Sequence, residues 1–102
     1  MKKIENFVAV APKLTMGKLE YCLWADDDGA LYVQIICNIS ETENPGTHSS
    51  LLFRVSNYLN NPDRENTPLM MRGINPETFK EETSKDNNDA GFVKAVLKHL
   101  FP

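Results

Sequence analysis

The sequence predicts an α+β fold, with an antiparallel sheet of about four or five strands and a C-terminal helix packed on one face. Three segments carry that expectation. Leu19 to Asn38 holds two strand-like runs around an acidic turn, Thr47 to Val55 alternates apolar with polar residues, and Asp89 to Phe101 repeats apolar residues at helical spacing.

The first of these also chooses its own register. Taking Asp27-Asp28-Gly29 as a three-residue loop, with Gly29 in the left-handed conformation that a bulged hairpin turn requires, sets Asp26 opposite Ala30. Leu23 then faces Val33, Tyr21 faces Ile35 and Leu19 faces Cys37. Paired residues share a face, so Leu19, Tyr21, Leu23, Leu31, Val33, Ile35 and Cys37 make one wholly apolar surface. A two-residue Asp28-Gly29 loop slips the pairing by one, setting Leu23 against Gln34 and Leu19 against Asn38, so the longer loop is preferred. The opposite face carries Glu20, Cys22, Trp24, Tyr32, Gln34, Ile36 and Asn38. That mixture is too polar for a core and too apolar for an ordinary wet surface.

The remaining elements follow from local signals. Ile4 to Val10 is rich in β-formers and stops before Pro12, as an edge strand would. Ser40 to Gly46, with Asn44-Pro45-Gly46, reads as an exposed connection. In the strand from Thr47 to Val55, Leu51, Phe53 and Val55 fall on one side and Ser50, Leu52 and Arg54 on the other, and Ser56 is placed to cap a short turn holding Tyr58 and Leu59. Asn60 to Thr67 reads as a loop, with a further strand over Leu69 to Arg72. Asn75 as N-cap, Pro76 at the first helical position and the Ile74/Phe79 pair at staple spacing predict a small surface helix running to about Thr83. After a polar loop from Ser84 to Asn88, Asn88 or Asp89 caps the final helix. Phe92, Val93, Val96, Leu97 and Leu100 form its apolar face, with Lys94 and Lys98 opposite.

Bulk properties bound the function. A chain of 102 residues is read as one domain, residues 1–102, able to bury a core without disulfides or a structural metal. The net charge of −3 resides in residues 1–50, and no basic stripe of the kind that binds nucleic acid is visible. No apolar run is long enough for a membrane span, and Glu5 and Asn6 interrupt what would otherwise mimic a signal peptide. Cys22 and Cys37, the only cysteines, point to opposite faces of the expected hairpin, so two free buried thiols and a cytoplasmic location are expected.

Motifs for catalysis and cofactors are lacking. Asp26-Asp27-Asp28-Gly29 does not reproduce the alternating ligand spacing of a calcium loop, and solvated turn acids are the expectation. His48 and His99 have no ligand-spaced partner for zinc, and His48 beside Ser49 and Ser50 has no triad meaning in sequence. Neither cysteine has a cationic or CxxC context, and no Gly-rich phosphate loop occurs. No catalytic, metal or cofactor-binding residue is therefore assigned.

The mixed hairpin face is the candidate site: Cys22, Trp24, Tyr32, Gln34 and Ile36, with Trp24 directly opposite Tyr32. The first expectation is a non-catalytic interaction module, a homodimer or a binder of another protein, that buries this face. The second is a small-molecule site in which Trp24, Tyr32 and Gln34 line an aromatic pocket closed by Asn60 to Arg72. An enzyme using His48 or His99 is the third.

Overall fold

A long central hairpin organises the molecule. The computed structural model describes residues 1–4, 9–12, 17–39, 46–47, 51–59, 72–84 and 89–101. In chain order these form β1 (Lys2–Lys3), β2 (Ala9–Pro12), β3 (Lys18–Ala25), β4 (Leu31–Ile39), β5 (Gly46–Thr47), β6 (Phe53–Arg54), α1 (Val55–Leu59), β7 (Arg72–Ile74), β8 (Glu81–Thr83) and α2 (Asp89–Leu100). β3 pairs with β4, β1 and β2 both pair with β3, and β5 and β6 both pair with β4, all antiparallel. The expected α+β class and antiparallel sheet are therefore present.

The turn follows the three-residue reading. Gly29 has φ +84°, the Asp26 amide donates to the Ala30 carbonyl at 3.1 Å, and the Gly29 amide donates to the Asp26 carbonyl at 3.0 Å. Asp26 Oδ1 accepts from the amides of Asp28 (3.0 Å) and Ala30 (2.9 Å), which holds the acidic turn together through its first residue. From Ala25 to Tyr21 the register is the expected one, with Leu23 opposite Val33 and Tyr21 opposite Ile35.

Beyond Tyr21 it differs. A bulge sets Glu20 opposite Cys37 and Leu19 opposite Asn38, leaving Ile36 as the extra residue of β4. The expected pairing of Leu19 with Cys37 is thus replaced, and Cys37 shares the Glu20 side of the sheet with Cys22 rather than lying on the opposite face. A residue inserted on one strand reverses every face assignment after it, and no turn or pattern signal marks that insertion. Both cysteines are free, Cys22 buried and Cys37 half-buried.

Of the strand expected from Ile4 to Val10, Ala9 and Val10 pair with β3, the Ile4 amide is bonded to the Leu23 carbonyl and residues 5–8 lie outside the described ones; Lys2–Lys3 pairs with β3 as well. Pro12 closes an edge strand, where its missing N–H costs no ladder bond. Within the Thr47 to Val55 run, Thr47 lies in β5 and Phe53–Arg54 form β6, with residues 48–50 outside the described ones, and Val55 opens α1, so Ser56 lies inside that helix instead of capping it. The alternation itself holds, since Phe53 and Val55 are buried in the core, while Leu52 is buried on the other side of the sheet. Of the strand expected over Leu69 to Arg72, Arg72 lies in β7 and the preceding residues lie outside the described ones. So do Ser40 to Pro45 and Asn60 to Thr67.

Helix α2 covers the apolar face. Ala90, Val93, Ala95, Val96 and Leu97 pack with Leu19, Tyr21, Val33, Ile35, Phe53, Val55 and Tyr58, with Leu23, Leu51, Phe92 and Leu100 at the margin. At about 25 cal/mol per Å² of apolar surface removed from water, this layer is the main source of stability. Leu31, expected on the same surface, is 39% exposed near the hairpin tip.

The small helix expected after Asn75 is instead the turn of a second hairpin, β7–β8. Its start signal is real: Asn75 Oδ1 accepts from the amides of Glu77 (2.8 Å) and Thr78 (3.2 Å), as an N-cap would. One helical bond forms, from the Phe79 amide to the Asn75 carbonyl, and then Phe79 adopts φ +57° and turns the chain back. Phe79 is 53% exposed and so gives a helix no apolar anchor, while Glu81, Glu82 and Thr83 pair with Ile74, Gly73 and Arg72. Leu52 and Ile74 exchange both backbone hydrogen bonds (2.8 and 2.9 Å), which joins this hairpin to the β6 edge.

Candidate functional site

The central hairpin brings the five sequence-derived residues to one side of the sheet, and the chain itself covers most of them. Cys22 (0% exposed), Tyr32 (5%) and Gln34 (8%) are buried, whereas Trp24 and Ile36 are half-buried. Trp24 stands directly opposite Tyr32 and Cys22 directly opposite Gln34.

Their polar atoms are satisfied within this face. Gln34 Oε1 accepts the Trp24 indole N–H at 2.9 Å and the Cys22 thiol at 3.4 Å. The Tyr32 hydroxyl donates to Asp26 Oδ2 at 3.0 Å, tying the aromatic pair to the acidic turn. Asp26 is held below the usual aspartate range, chiefly by the Ala30 amide and further by Tyr32, Asp28 and the nearby Arg54 charge. Tyr32 is pushed up by burial and by its bond to Asp26. Burial raises the Cys22 thiol, against the opposing influence of Lys3, so Cys22 is a poor nucleophile near neutral pH.

A half-open cleft of about 200 Å³ lies where this face meets the second hairpin. Tyr32, Leu52 and Gly73 form its buried floor, Ile74 is half-buried, and Arg54, Asn57, Arg72 and Glu81 stand exposed around it. β6 supplies Arg54 directly opposite Tyr32, α1 supplies Asn57, and the β7–β8 hairpin supplies the far wall. Trp24 and Gln34 do not line it.

The two arginines differ in their commitments. The Arg72 guanidinium donates from Nε to Glu81 and from Nη1 to Thr83 Oγ1 at 3.4 Å, and the Tyr58 hydroxyl reaches its backbone carbonyl at 3.5 Å. The Arg54 guanidinium makes no hydrogen bond or ion pair among the described residues. A paired Arg thus stands beside one whose N–H donors are uncommitted among the described residues, with the Asp26 charge nearby.

The family, protein and structure comparisons add no relative. No protein-family model, curated protein or solved structure matches this chain. The site therefore rests on its own geometry.

Among the described residues no three His, Cys, Asp or Glu side chains converge in a way that could hold a metal ion, and no helix is long and apolar enough to cross a membrane. His99 lies exposed in the last turn of α2, where a cation complements the helix dipole. His48 lies outside the described residues.

Sequence reasoning singled out Tyr32 but missed Arg54, Asn57, Arg72 and Glu81 as companions. Arg54 carried one usable signal, since the alternation set it on the same side as Leu52. Recognising the cleft also required knowing that β6 pairs with β4 at Tyr32.

Proposed function

We propose that this chain is a non-catalytic small-molecule-binding protein whose site is the cleft between Tyr32 and the β7–β8 hairpin. The observation that carries this reading is the cleft's composition, a buried floor of Tyr32, Leu52 and Gly73 beneath convergent polar groups from four elements. Such a lining suits ligand recognition, in which an apolar base gives affinity and a few polar groups give orientation. Its size of about 200 Å³ is below the roughly 300 Å³ at which drug-sized sites begin, so the ligand is small.

Association through the Trp24/Tyr32 face is the second reading. Trp24 and Ile36 keep part of their surface open, which favours it, but burial of Cys22, Tyr32 and Gln34 within one chain leaves less apolar area for a partner to cover.

Amide-shift mapping by NMR with a mixed set of neutral, anionic and cationic fragments tests the proposal. Saturable shifts centred on Arg54, Asn57, Gly73 and Ile74 are expected. Shifts centred on Trp24 and Ile36, or no saturable binding by any fragment, would reject it.

A further inference from the structure

We infer that the cleft takes a small monocarboxylate, its carboxyl group seated on the Arg54 guanidinium. This rests on the cleft being a ligand site and adds the charge and chemical class of what it binds. Three groups on the cleft wall carry formal charge: Arg54, Arg72 and Glu81. Arg72 and Glu81 neutralise one another through their ion pair, and Thr83 further fixes the Arg72 side chain. Arg54 is left as the one whose guanidinium donors are uncommitted among the described residues.

The choice of a carboxylate follows from geometry and charge. A guanidinium presents a planar fork of N–H donors that matches the two oxygens of a carboxylate, giving a bidentate pair. With the Asp26 charge close by, a monoanion suits the lining better than a phosphate dianion. Asp26, on whose charge Arg54 acts, has its carboxylate occupied by the Ala30 and Asp28 amides and the Tyr32 hydroxyl, so it does not supply Arg54 with a hydrogen-bonded partner. Asn57, exposed on the same wall, carries an amide that can donate to a ligand oxygen. Tyr32, Leu52 and Ile74 then offer the remainder of the ligand a compact apolar surface. With the chain at −3 overall, recognition depends on this local fork and not on long-range attraction.

The test titrates benzoate, its uncharged analogue benzamide and inorganic phosphate into the whole chain, read by amide shifts in the cleft. Benzoate is expected to bind saturably and at least about tenfold more tightly than benzamide, since loss of a charge-assisted bidentate contact is worth about that factor. Arg54→Gln should weaken benzoate about tenfold with an unchanged circular dichroism spectrum, and Arg54→Lys should restore part of the loss. Benzamide binding as well as benzoate, phosphate binding more tightly than benzoate, or Arg54→Gln without effect on benzoate would overturn the carboxylate inference. Any of these with shifts still in the cleft leaves the ligand-site reading standing. If neither these probes nor the wider fragment set binds there, both fall.

Discussion

Trp24 donates its indole N–H to Gln34 Oε1 at 2.9 Å, across the two central strands and next to the Cys22 thiol that shares the same acceptor. One buried amide oxygen thus satisfies two donors on a face whose composition had suggested an interface. Replacing Gln34 with Met keeps the side-chain length but removes the acceptor. The half-buried indole N–H then lacks its partner, and stability should fall by about 1–3 kcal/mol in chemical denaturation. A smaller loss when Trp24 is already Phe would assign the cost to this bond, because the double variant has no indole donor to strand.

Gly29 and Gly73 separate two reasons for glycine. At Gly29 an added Cβ meets nothing within 4 Å, but the backbone is left-handed, so Gly29→Val should cost about 1 kcal/mol or more through conformation alone. At Gly73 a Cβ would lie 2.7 Å from Leu51 Cβ and 2.9 Å from the Leu52 carbonyl oxygen, so Gly73→Ala forces β7 away from the β6 edge. A loss of about 1–3 kcal/mol is expected there, as for other overpacked sites. Thermal melts check both, and an unchanged Gly73→Ala melt would mean that the second hairpin is not docked against Leu51 and Leu52.

Phe79 stores strain at the tip of that second hairpin. A bulky residue at φ +57° with 53% of its surface exposed gives up favourable backbone geometry for little burial. Phe79→Gly should therefore be neutral or stabilising, by up to about 1 kcal/mol, whereas the same change in a core aromatic would be strongly destabilising. A clear drop in melting temperature would show that Phe79 makes contacts worth more than its strain.

Protonation of Asp26 should loosen the first hairpin. Its pKa is depressed in the folded chain, so its contribution is present above the ordinary aspartate value of 3.8 and is lost as pH falls through the lower folded value. Asp26→Asn should lower the melting temperature at neutral pH, and the gap from wild type should close in acid. A gap that stays constant with pH would assign the effect to shape and not to charge.

All three tyrosines should resist ionisation. Burial raises Tyr21, Tyr32 and Tyr58, the last to about 12, so spectrophotometric titration of the folded protein should show no tyrosine ionising at the usual value of 10. The sign for stability follows. A raised tyrosine pKa contributes stability below 10 that is lost as pH rises towards about 12. One full tyrosine titrating at 10 would contradict the burial of that residue.

The central hairpin and the final helix were legible because several signals agreed in each. Gly29 and the alternation of Tyr21, Leu23, Val33 and Ile35 chose the same register, and Val93, Val96 and Leu97 marked one helix face. The bulge at Ile36 was not, because either neighbour of an inserted residue fits an apolar strand equally well. Around Asn75 the local cap signal was correct, yet pairing of Glu81 to Thr83 with Arg72 to Ile74 overrode it. The cleft was hidden for a similar reason, since it joins Tyr32 to residues 54, 57, 72, 73, 74 and 81, and strand order is not written in any one segment.

Sedimentation velocity across a range of concentrations, run on wild type and Trp24→Lys with circular dichroism alongside, tests most directly whether the aromatic face is internal to one chain and the cleft its recognition surface. The account predicts that Trp24→Lys leaves the oligomeric state of wild type unchanged while lowering its melting temperature, because Trp24 is half-buried and bonded to Gln34 within the same chain. A wild-type dimer that Trp24→Lys converts to folded monomers of undiminished stability would contradict it, and would make the Trp24/Tyr32 face an interface between chains.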